Sequence, residues 1–280
     1  MSSKIPPLLE PYLGLPEEAS LIILTNVLGA SSNWLVLRYL YSILQQGRGA
    51  GADEREESGV VLVSFMRDLA FWREGASRLG LDLDSLSRAG KFSFVDGLAG
   101  LLSGGQGSES TGDRGRVLKG GKLDDVRRGI EAAIGDVRLA SKVLIVDQLD
   151  ELLAISGEED VTGLALEGML LSLREAKHKA AWSQLTWHYQ RVHATVLTFS
   201  ADDALLRTQT TSLERSHAAL VLAQSHAADV VLSLRMLDTG VAKDVSGVVR
   251  ITDRGGEEES AEYLYHVGAD GNVKVFERGA

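Results

Sequence analysis

Apolar positions in this chain fall into two patterns. Short continuous runs occur at Leu21–Leu24, Val60–Phe65, Phe92–Val95, Val143–Val146, Thr195–Phe199 and Val230–Leu234. Between them, apolar residues recur at helical spacing over Trp34–Gln46, Asp68–Leu79, Leu123–Leu139, Leu164–Trp182 and Leu213–Gln224. An unbroken apolar run marks a strand buried on both faces. Such strands separated by helices predict a parallel sheet with helices on either side. The last third changes period. Val248–Thr252, Tyr263–Val267 and Val273–Phe276 alternate in polarity, and Asp270–Gly271 is a hairpin turn signal. The expected fold class is α/β: a mainly parallel central sheet flanked by helices, followed by antiparallel C-terminal strands that include a hairpin.

The stretches between these runs set the expected boundaries. All four prolines lie within residues 1–18, which predicts an extended arm packed along the surface. Residues 19–280 then form one domain with two flexible insertions, at 47–59 and 103–121. Both insertions are too polar and too rich in glycine to pack. The first helix, WLVLRYLYSIL, carries a single charge, Arg38. A surface helix shows a polar face, so this one is expected to be covered on both sides, by the arm or by another subunit.

Composition narrows the class. With 44% apolar residues the chain is a folded protein, and its net charge of -10 argues against a free-standing nucleic-acid binder. Any polyanion contact must be local. One basic run, Arg114, Arg116, Lys119, Lys122, Arg127 and Arg128, faces Asp113, Asp124 and Asp125, and reads as a solvated loop or a polyanion contact. The lack of cysteine excludes disulfides and thiolate metal sites. No stretch reaches the roughly 18 apolar residues of a membrane helix, and the N-terminal stretch lacks the compact apolar run of a signal peptide. A cytoplasmic protein, also nuclear in some settings, is expected, with no membrane contact.

Candidate chemistry centres on LIILTNVLGASSNWLVLRYL, a strand, a small polar loop and a helix. That layout carries the phosphate loop of nucleotide-binding proteins, whose G-x-x-x-x-G-K-[ST] pattern supplies backbone approach, a lysine and a magnesium-binding hydroxyl. Here the four places hold Asn26, Ser31, Ser32 and Asn33, and only Gly29 lets the backbone come close. Each charged hydrogen bond lost is worth about 1.5–3 kcal/mol, so triphosphate binding should fall by orders of magnitude. Asp147, ending KVLIVD, sits where phosphate-loop enzymes hold magnesium, but it equally suits a cap on a helix starting near Leu149. The six histidines show no metal spacing, there is no G-x-S-x-G elbow, and Ser200 reads as a strand-end cap. No catalytic residue, metal or cofactor is expected.

The order of strand, degenerate loop, VVLVSF, FSFVDGL, VLIVDQLDELL and TVLTFS resembles the RecA-like ATPase fold. Active relatives carry an acid just past the second strand; this chain reads Ser64–Phe65–Met66–Arg67, with Asp68 the nearest acid. MLDTGVAKDVSGVVRITDR, YLYHVGADGNVKVFERG and VLIVDQLDELLAISG are more specific, and resemble the family of the sixth Elongator subunit. The resemblance implies a RecA-like subunit without a working phosphate loop, assembled with the fourth and fifth Elongator subunits into a hetero-hexameric ring. The ring would bind transfer RNA and, with the remaining Elongator subunits, support wobble-uridine modification. Arg207 and Arg215, after TVLTFS, join Arg114, Arg116, Lys119 and Lys122 as candidate RNA contacts. A recombinase-paralogue adaptor acting on DNA repair and a weak stand-alone ATPase are the competing readings.

Overall fold

The computed structural model describes residues 4–45, 57–102, 115–156, 161–174, 192–237, 244–255 and 260–278. After a 3-10 turn at Pro7–Leu9, the chain forms α1 (Glu10–Leu13), β1 (Leu21–Asn26), α2 (Asn33–Gln45), β2 (Ser58–Ser64), α3 (Leu69–Arg78), α4 (Leu83–Arg88) and β3 (Phe92–Asp96). Next come α5 (Gly97–Leu102), β4 (Arg116–Val117), α6 (Leu123–Asp136), β5 (Ser141–Asp147), α7 (Asp150–Ser156) and α8 (Gly163–Arg174). The last part holds β6 (Ala194–Ser200), α9 (Asp203–Arg207), α10 (Ser212–Ala227), β7 (Val230–Arg235), β8 (Gly247–Asp253), β9 (Ala261–Val267) and β10 (Val273–Phe276).

All ten strands join one sheet in the order β10-β9-β8-β7-β1-β6-β5-β2-β3-β4. From β7 to β4 neighbours run parallel; β8, β9 and β10 add antiparallel. The expected mixed α/β architecture is the observed one. Because side chains alternate across a strand, the apolar runs feed two cores. Ile22, Leu24, Val60, Leu62 and Ile145 pack with the arm, α2, α3 and α4. Leu21, Ile23, Val61, Val63 and Val146 pack with α6, α7, α8 and α10.

The N-terminal arm corrects the expectation of an extended surface segment. Pro7 to Leu13 turns helical, with proline at the first positions where no N–H is needed. Leu9 and Leu13 are fully buried against the α2 side of the sheet. Tyr39 Oη on α2 donates to Tyr12 O at 2.8 Å. The apolar outer face of α2 is thus covered from within the chain.

The loop expectations need correcting at their ends. Residues 46–56 and 103–114 lie outside the described residues. Ser58 and Gly59, however, open β2, and a Cβ on Gly59 would sit 2.3 Å from Val137 Cγ1. Likewise Arg116 and Val117 form the edge strand β4, and Leu118 is buried in the second core. The buried Leu118 and the backbone pairing of Arg116 and Val117 with β3 anchor this otherwise polar stretch. α6 stops at Asp136 rather than Leu139, because Val137 turns extended and Arg138 N–H donates to Gly90 O at 2.8 Å. Within the helix expected over Leu164–Trp182, residues 175–182 lie outside the described residues.

Candidate functional site

In a parallel α/β sheet ligands bind beyond the C-terminal strand ends, where connections diverge to opposite sides. Here that place is the ends of β1, β5 and β6. Each strand there stops on a polar residue: Asn26, Asp147 and Ser200, with Ser64 on β2 and Asp96 on β3.

The loop after β1 is a tight turn. Ala30 N–H donates to Val27 O at 2.9 Å, and Gly29 takes φ +89°, the left-handed value that the third residue of a type II turn requires. A side chain at Gly29 would also meet Met236, whose Sδ lies 3.1 Å from the position of a Cβ. Leu28 N–H, at the tip, donates to Asp202 Oδ1 at 2.9 Å. Asn33 N–H donates to Ser31 Oγ at 3.3 Å, and Ser32 is fully buried. A phosphate loop works by aiming free N–H groups at an anion. In this turn the protein's own oxygens accept the N–H groups of Leu28, Ala30 and Asn33, and one acceptor, Asp202, is itself a carboxylate.

Asp147 neither caps a helix nor faces the loop. It is fully buried, with Oδ2 accepting from Ser64 Oγ at 2.7 Å and Oδ1 from Thr198 Oγ1 at 3.1 Å. The carboxylate thus ties β5 to both neighbouring strands. Burial pushes it up to about 6, against the pull of the two hydroxyls downward. Beside it Gln148, at φ +54°, reaches across β6 to β1: Nε2 donates to Asn26 Oδ1 at 3.3 Å, and Oε1 accepts from Ser200 Oγ on β6 at 2.9 Å. Ser200 N–H donates to Asp150 Oδ2, 3.1 Å away, and His217 Nε2 lies 3.3 Å from the same oxygen. Ser200 therefore bridges strands instead of capping one, and His217 is a paired core histidine. Asp68 is the N-cap of α3, accepting from Phe71 N–H at 2.9 Å.

These residues do not fit a nucleotide with magnesium. The lysine position is the buried Ser32, the hydroxyl position is Asn33, and the strand-end acid is enclosed by hydroxyls. Among the described residues no cluster of His, Asp or Glu could hold a metal ion, and no helix is long and apolar enough to cross a membrane.

The proposed RNA contacts fall in two places. Arg207 is exposed and pairs with Asp203 at 3.4 Å; Arg215 is exposed and donates to Thr210 O at 3.2 Å. Both follow β6. Arg116 pairs with Asp136 at 2.8 Å on edge strand β4, four strand spacings from β6, or roughly 19 Å. Lys119 and Lys122, both exposed, follow it, and Arg114 lies outside the described residues. Further along that run, Arg127 pairs with Glu131 and Arg128 with Asp125. Sequence reading missed the polar belt of Ser64, Thr198 and Gln148. The only signal was the polar residue that ends each of β1, β2, β3, β5 and β6, which marks Ser64 but neither Thr198 nor Gln148.

The fold and its strand-end site define a RecA-like protein with a closed phosphate-loop turn. Among solved structures, a KaiC-like protein from the hyperthermophilic archaeon Pyrococcus horikoshii OT3 superposes with a TM-score of 0.55 at 18% identity, over 98% of this chain and 97% of that one. A search of curated protein sequences finds no match. The family model for Elongation complex protein 6 matches residues 52–267, and the chain belongs to that family. Family and fold together support an Elongator subunit.

Proposed function

We propose that this chain is a non-catalytic subunit of a hetero-hexameric ring with Elongator subunits four and five. The ring, acting in the cytoplasm, binds transfer RNA and supports wobble-uridine modification by the whole complex. The observation that carries the non-catalytic part is the closed loop: Leu28 N–H is bonded to a carboxylate, and Asp147 is enclosed by two hydroxyls. Family membership supports the assembly. Arg207 and Arg215 are the favoured RNA contacts, because each is exposed on the segment that leaves the C-terminal end of a central strand.

The test is co-expression of the chain with subunits four and five. One stable species that retards transfer RNA in a gel is the expected result, and a chain that elutes alone would overturn the ring. Asp147→Asn in this chain should leave any ATP hydrolysis by the ring unchanged. Arg207→Glu should weaken transfer-RNA binding at fixed salt; unchanged binding would remove that residue from the contact. Preference for duplex DNA over transfer RNA would favour a recombinase-type adaptor.

A further inference from the structure

Against the closed turn, with Gly29 and Ser31 of that turn in its wall, lies a cavity of about 470 Å³ between α2, α3 and the C-terminal strands. Its walls include Trp34, Leu37, Phe71 and Tyr265, with Ser31 at the loop side. Volume and apolar lining are those of a small-molecule site. One lining group is chemically unusual. Arg38 is only 2% exposed, yet among the described residues no carboxylate lies within 4 Å of it. Its Nη2 donates to Gly271 O at 2.9 Å, while its buried Nε has no partner.

A buried guanidinium without a counter-charge is costly, and an anion brought against it offsets that cost. The cavity's other charges cancel, since Arg78 Nη2 lies 2.6 Å from Glu74 Oε1. What remains is one positive charge in an apolar, aromatic cleft. We propose that this cavity binds a small organic monocarboxylate carried on a flat aromatic body. The ring packs against the wall formed by Trp34 and Tyr265, whose own rings lie 5.1 Å apart, and the carboxylate meets the Arg38 guanidinium. A polyphosphate suits the cavity poorly, because the adjoining turn has lent its Leu28 and Ala30 amides to Asp202 and Val27. The inference is independent of the ring assignment.

The test uses the full-length chain with indole-3-carboxylate, its neutral analogue indole-3-carboxamide, and ATP, followed by ligand-observed NMR titration. The acid should bind about tenfold or more tightly than the amide, from the loss of one charged hydrogen bond. Arg38→Gln should abolish that preference, with folding checked by thermal melting. Should Arg38→Gln fail to fold, Ser31→Phe at the exposed mouth narrows the cavity and leaves Arg38 in place, and it should weaken the acid. Equal binding of acid and amide to the native chain would overturn the proposal. So would tighter binding of ATP, a preference that survives in Arg38→Gln, or an acid affinity unchanged in Ser31→Phe.

Discussion

At the scale of single residues, the clearest handle is Asp147. In the unfolded chain it titrates near 3.8, and folding raises it to about 6. Between those values the native state holds a proton that the unfolded state has released. Stability therefore falls as pH rises across that window, and the full cost is present above it. Asparagine at 147 is neutral throughout. Asp147→Asn should gain on the native protein between about pH 4 and pH 7, by on the order of 3 kcal/mol. Thermal melting of both proteins across that range checks it, and parallel curves would sink the account. The position of Asp147 at the end of its strand was legible in the sequence. Its clamp was not, because Ser64 and Thr198 are 83 and 51 residues away and meet it only through sheet register. Arg38 gives the same lesson. The sequence marks it as the one charge on an apolar helix, but its isolation depends on a turn 233 residues further along.

At the scale of elements, the long runs read well because their pattern is set by burial. β1, β2 and β5 lie between two helical layers, so apolar residues fill both faces. Short helices escaped. α4, α5 and α9 are too brief to show a period, and capping fixes the starts of the first two: Asp82 accepts from Ser85 N–H at 3.0 Å before α4, and Asp96 from Ala99 N–H at 2.8 Å in α5. The arm misled for another reason. Its prolines suggested extension, whereas at the start of a helix they are well tolerated. Leu13→Ala should open a hole beneath α2 and lower stability by about 2–5 kcal/mol. Urea unfolding measures this, and a loss below about 0.5 kcal/mol would mean that the arm is a loose cover.

At the scale of the whole molecule, the order of the strands has a consequence for synthesis. β1 is among the first elements made, yet its two partners are β6 and β7, which begin at Ala194 and Val230. The arm, too, packs near the far end of the chain, since the Pro7–Leu9 turn touches β10. For most of its time on the ribosome the nascent chain therefore carries an apolar strand with both edges open. Long-range parallel pairing of this kind is slow and exposes the chain to aggregation. Chains released before Ala194 should pellet on centrifugation, while chains completed through Phe276 should stay in the supernatant. Soluble short products would show that β1 finds shelter elsewhere. A subunit built this way needs a chaperone's holding time most in the interval before its sixth strand emerges.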